Sequence, residues 1–185
     1  MVTSETRYSR IARLIHWTMA ILILAMIPVG VIMTQPDLNR SLQNTLFIFH
    51  KNIGILLLML IVVRLVYRLT HKPAPLPAEL PDWQHRAAGL SHLAIYTLLV
   101  IMPVAGYIRV KAGGFPIESL DALGMPSLVM RSDALAEIAK GVHYFGGFFL
   151  AGLVAMHIGA ALHHGVIRKD GVFSRMWPPF GDRTD

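Results

Sequence analysis

An otherwise apolar stretch, GVHYFGGFFLAGLVAMHIGAALHHG over residues 141–165, carries four histidines: His143, His157, His163 and His164. A neutral imidazole can ligate a metal, carry a proton or hydrogen-bond. If the stretch is helical, the 14 residues between His143 and His157 correspond to ~21 Å of rise and a net rotation of about 40°. Both side chains then lie on nearly one face, at two depths. Other apolar blocks supply partners at matching depth, His50 for His143 and His16 for His157, with His92 also near the latter. Two imidazoles on opposed helices are what a six-coordinate haem b requires. Zinc or a proton path is the rival use, and a hydrogen bond to a neighbouring helix is the plain structural one. An unpartnered polar group in apolar surroundings costs roughly 2–7 kcal/mol, so four histidines in two depth-matched pairs point to one shared cause. No carboxylate lies in the membrane-crossing part of any block, which weighs against a proton-coupled transporter.

The elements that must position these histidines follow from composition. The 185 residues are 54% hydrophobic and only 15% charged, with a mean hydropathy of +0.53; a soluble domain is about one quarter charged. The apolar residues fall in blocks of the ~20 residues needed to cross a bilayer. No block alternates as a barrel strand would, so the spans are helices. The expected fold class is an all-α membrane protein. It is a four-helix transmembrane bundle forming one domain over 1–185, with helices at about 12–33, 45–68, 88–110 and 134–166. The first block is too long for a signal-peptide core and stays as the first span.

Lysine and arginine set the orientation. Arg7, Arg10, Arg13, Arg64, Arg68, Lys72, Arg86, Arg168, Lys169, Arg175 and Arg183 fall on the side of the termini, against Arg40, Lys51, Arg109, Lys111, Arg131 and Lys140 on the other. This places both termini in the cytoplasm. The same reading explains the net charge of +6 without a nucleic-acid surface, for which no motif is present. With no cysteine, disulfides, thiolate-held iron–sulfur clusters, covalently attached haem and cysteine catalysis are excluded.

The connections differ in character. Residues 34–44 are short and polar, 69–87 are proline-rich and extended, and 111–133 form the longest link. Ser132 or Asp133 is the expected N-cap of the last helix, which starts before the membrane. Pro28 and Pro103 lie inside spans, as membrane helices permit. Gly54, Gly146, Gly147, Gly152 and Gly159 either leave room for flat macrocycles or serve plain helix contacts.

The segments YSRIARLIHW, FHKNIGILLLMLIVVRLVYR, LSHLAIYTLLVIMPVAG, GVHYFGGFFLAGLVAMHIGAALHH and RKDGVFSRMWP together resemble the bacterial cytochrome b561 family, in order and over nearly the whole chain. The resemblance implies a multi-pass protein of the bacterial inner membrane with two haem b groups. The matching axial ligands are His16 with His157 and His50 with His143. It further implies electron exchange with ubiquinone. The donor is then periplasmic superoxide, or a redox partner protein such as a periplasmic dehydrogenase for which the chain is anchor and electron conduit.

Other residues follow from this. His164 shares the face of His157 and is either a hydrogen-bond or proton donor to a quinone or an interfacial cap. Ser9 either caps the first helix or contacts quinone, and Trp17 reads as an interfacial anchor. Arg64 and Arg68, one turn apart, either snorkel to lipid phosphate or pair with a haem propionate. Lys51, Arg109 and Lys111 either draw an anion to the outer haem or bind headgroups. His92 is either a hydrogen-bonded interhelical histidine or, at the inner site, a haem-propionate partner or alternative ligand. His71 and His85 belong to the loop and to solvent.

Overall fold

The computed structural model describes residues 7–72 and 75–178; Arg183, counted above among the cations, lies outside them. Four long helices dominate: α1 (Arg10–Ile32), α2 (Arg40–Thr70), α3 (Asp82–Ala112) and α5 (Asp133–Leu162), with a short α4 (Glu118–Ala122) between the last two. A π-helical turn (His163–Arg168) and a 3-10 turn (Phe173–Arg175) are the last elements among the described residues. There is no strand among the described residues, and each long helix is apolar and long enough to span a membrane.

Two helices begin well before the expected boundaries, because their first turns are polar and lie outside the apolar blocks. Asn39 starts α2, its Oδ1 accepting from the N–H groups of Ser41 (2.9 Å) and Leu42 (3.3 Å). Pro81 precedes α3, whose first residue is Asp82. Of the two expected caps, Ser132 is the one that caps α5, accepting from the Leu135 N–H at 3.3 Å. His85, expected in a loop, therefore sits in the first turn of α3. His71 ends α2 and stacks flat on Tyr67 with ring centres 4.1 Å apart.

Packing runs α1 on α2, α2 on α3 and α3 on α5. Met19, Ile23 and Ile61 form the buried centre, with Leu57, Leu58 and Val100 around them. Few residues are buried, and Phe145, Phe149, Leu90 and Val66 are largely exposed. That is the expected surface where lipid, not water, is the surrounding solvent. The first and last described segments meet at one end of the bundle, where the Tyr8 N–H donates to the Arg175 carbonyl at 3.1 Å. This is called the terminal end below, and the opposite one the far end. Trp17, expected as an interfacial anchor, donates instead to the Met176 carbonyl at 2.9 Å and meets Trp177 edge-on.

Candidate haem sites

The long packing contacts leave α5 facing α1 and α2 across the bundle, and the histidines bridge that side. At the far end, His50 of α2 and His143 of α5 have ring centres 6.0 Å apart with planes at 75°. At the terminal end, His16 of α1 and His157 of α5 stand at 6.3 Å and 72°. His92 of α3 also faces His157, at 5.6 Å. Two imidazoles on opposite sides of a metal, each bonded at about 2 Å, have ring centres roughly 6 Å apart. The donor set fits haem better than zinc. A structural zinc site takes four protein ligands, and no group of three or more His, Cys, Asp or Glu able to hold a metal exists among the described residues. A macrocycle supplies the remaining four ligands itself.

The far-end pair has a defined second layer. His143 Nδ1 lies 2.9 Å from the Met102 carbonyl. A carbonyl only accepts, so Nδ1 carries the proton and Nε2 keeps its lone pair for a metal. Gly106 makes this approach possible: a Cβ there would lie 3.1 Å from His143 Cε1. Gly30 plays the same part for His50, where a Cβ would be 3.1 Å from Cε1. His50 Nδ1 is buried without a hydrogen-bond partner, a cost that protein contacts do not offset. Neither glycine was singled out by the sequence reading; their places in spans at the depth of His50 and His143 were the available signal. Of the glycines that were, Gly146 faces Met102, with a Cβ position 2.7 Å from its sulfur, so it serves α3–α5 packing. Gly152 and Gly159 face open space within 4 Å.

At the terminal end, Arg64 turns inward, not out to lipid. It donates to the Tyr96 hydroxyl (3.0 Å) and the Ala12 carbonyl (3.0 Å), and its Nη2 lies 3.3 Å from His16 Nδ1. Arg68 stacks over the Tyr96 ring. Arg64 thus stands beside the His16 ring, and Arg68 beside Tyr96. Ser9 caps α1 through the Ala12 N–H (3.2 Å) and meets the Tyr67 hydroxyl at 2.7 Å. His164 has a different partner, Asp170, at 2.6 Å, so Ser9 and His164 are engaged separately.

The expected cluster of outer cations is corrected. Lys51 binds Glu118 at 2.6 Å and the Pro116 carbonyl at 2.7 Å, and Lys111 binds Asp121 at 2.5 Å. Asn52 adds two bonds to the same short helix, to Glu118 and from the Ser119 N–H. The residues after His50 therefore tie α4 down over the far end.

Burial alone would raise the Glu118 carboxyl, but hydrogen bonds from Lys51, its own N–H and Asn52 outweigh this and hold it below the usual carboxylate value. A depressed folded-state value stabilises the tie at and above the ordinary carboxylate range, and the contribution disappears as pH falls through the lowered value. Protection from hydrogen exchange across 113–132, taken relative to the intrinsic rate at each pH, is therefore expected to be high at neutral pH and to fall on acidification. Glu118→Gln should lower that protection at neutral pH and make it insensitive to pH in that window. Equal protection in both proteins would show that the ion pair does not hold the loop.

Four apolar helices with opposed imidazole pairs across one side define a membrane electron-transfer protein with b-type haem. The comparisons agree: the family model for prokaryotic cytochrome b561 matches residues 7–179. Cytochrome b561 homolog 2 of Escherichia coli (strain K12) is 33% identical over 171 residues, 92% of this chain and 90% of the relative. A probable superoxide oxidase, CybB, of Yersinia pestis is 28% identical over 177 residues, 93% and 96% of the two chains. This chain belongs to the prokaryotic cytochrome b561 family and is a multi-pass protein of the bacterial inner membrane.

Proposed function

We propose that this chain is a diheme, single-domain transmembrane electron carrier that oxidises superoxide at the periplasmic face and reduces ubiquinone near the cytoplasmic one. The terminal end is cytoplasmic in this reading, in keeping with the lysine and arginine distribution. The observation that carries it is the pair of opposed imidazole sets on one continuous helix, ~21 Å apart along its axis. His50 and His143 would hold the outer haem, and His16 and His157 the inner one. Haem bound there supplies reversible one-electron chemistry.

The chain's own residues set the rest. Met102 orients His143 through its carbonyl. Gly30 and Gly106 let the outer rings sit against the backbone. Arg64 and Arg68 offer positive charge to propionates at the inner site. His164 would donate a proton to quinone, with Ser9 as a second polar contact at that end. The relative described as a probable superoxide oxidase supports the donor assignment.

A second reading, an electron conduit for a periplasmic redox protein, is favoured by one observation: Lys51 and Lys111 are neutralised by Glu118 and Asp121, which weakens the field that would draw an anion. The test is quinol formation by the purified protein in lipid nanodiscs supplied with superoxide and ubiquinone. Two superoxides, one quinone and two protons should yield two dioxygens and one quinol, at many turnovers per protein. Quinol at only the uncatalysed rate, with both haems intact, would replace superoxide by a protein donor.

A further inference from the structure

The segment RKDG after the last helix is not used by either haem site, yet it builds a buried carboxylate–imidazole pair. Beyond Leu162 the helix widens into the π-helical turn His163–Arg168, a form frequent at functional sites. The chain then reverses through Lys169 (φ 51°) and Gly171 (φ 84°). The reversal returns Asp170 to the helix end, where Oδ2 lies 2.6 Å from His164 Nδ1. The other oxygen accepts from the Val172 N–H at 3.3 Å, so the carboxylate is held from two sides. Both side chains are over four-fifths buried, 15% and 18% exposed.

The pair is anchored on its outer flank too. Gly165 lies so close to Phe173 that a Cβ would be 2.9 Å from its ring. The following residues bind the segment before α1 through Arg175 to Tyr8, and α1 itself through Met176 to Trp17. The charged and titratable groups around the pair are His163, with its ring centre 5.8 Å from that of His164, and Arg168, with Nε 3.9 Å from the carboxylate. Arg175 from the tail stacks over Tyr8 instead.

We propose that Asp170 is the positioning residue for proton delivery to quinone: it holds the proton on His164 Nδ1 and leaves Nε2 as the one nitrogen that serves the substrate. This rests on the assignment of His164 to the quinone site. Reduction of a quinone to a quinol takes two electrons, arriving through the haems, and two protons. The His164 imidazolium gives its Nε2 proton to a quinone carbonyl oxygen and is reprotonated from cytoplasmic water, which supplies the second proton as well. Asp170 keeps its own charge throughout and stays bonded to Nδ1, so that Nε2 alone faces the substrate. Burial works against that charge, but the bonds from His164 and the Val172 N–H, with Arg168 nearby, keep the carboxyl below its usual value.

The experiment is stopped-flow reoxidation of chemically reduced protein by a short-chain ubiquinone from pH 5.5 to 9, in wild type, His164→Ala and Asp170→Asn, with haem content measured for each. Asp170→Asn should keep its haem and reoxidise about tenfold more slowly at pH 8. Wild-type rates in His164→Ala would remove His164 from the quinone site and take the present inference with it. Slow His164→Ala with wild-type rate and profile in Asp170→Asn would overturn the role of Asp170 alone. Nitrogen-15 spectra of histidine in the wild-type protein give an answer independent of any variant. The neutral His164 ring should carry its proton on Nδ1, and a proton on Nε2 would refute the proposal.

Discussion

His157→Ala should leave one haem per chain, with the far-end site unchanged. His157 faces both His16 and His92, at 6.3 and 5.6 Å, so its loss removes the inner site whichever of the two is the opposite ligand. The far-end pair lies about 21 Å along the same helix and shares no side chain with it. Alanine on a lipid-facing or cofactor-facing helix position keeps helix propensity, so the bundle should still insert. The reduced-minus-oxidised spectrum should fall to about half, and the remaining haem should titrate at a single potential. Two haems per chain in this variant would refute the pairing. His16→Ala and His92→Ala then divide the roles: the first should reproduce the loss, and the second should keep both haems. The reverse result would move the ligand to α3 and make His16 a partner of Arg64 only, in line with the bond at 3.3 Å between them.

Gly106→Val should have the complementary effect at the far end. A Cβ at position 106 already lies 3.1 Å from His143 Cε1 and 3.2 Å from Nδ1, and the two methyls of valine have no room beyond it. His143 must swing away, which breaks its bond to the Met102 carbonyl and turns Nε2 off the axis toward His50. Overpacking of this kind costs about 1–3 kcal/mol in a filled core, a loss the bundle can tolerate. The larger consequence is the ligand. The expected protein is folded, keeps the inner haem and lacks the outer one. Gly89→Ala is the control, because nothing lies within 4 Å of that position; it should keep both haems. An unchanged spectrum and unchanged potentials in Gly106→Val would mean that the contact with Gly106 does not govern the site.

These two variants mark the boundary between what was legible in the sequence and what was not. The four spans follow from the residues alone, because a run of about twenty apolar residues is a local property that a bilayer reads directly. The residues also determine that His143 and His157 share one face at two depths, because helical rise and twist are the same wherever a helix is formed. The cap at Ser132 was legible for the same reason. The early starts of α2 at Asn39 and α3 at Pro81 were not, since apolar patterning ends at the membrane and the polar turns beyond it carry no such signal.

How closely the rings meet is a matter of tertiary structure. Depth paired His16 with His157 and left His92 as a spare at the same end, and the packing order α1–α2–α3–α5 brings both within reach of His157. It also decided that Gly30 and Gly106, not the glycines of the last helix, back the outer rings. Lys51 and Glu118 are 67 residues apart in the chain, and nothing at either position announces the other. The union of His164 with Asp170 depends on a π-helical turn and a left-handed residue that reverse the chain. Periodicity reports a residue's face and depth on its own helix; a contact between helices depends on how the helices are arranged around one another, which no local pattern encodes.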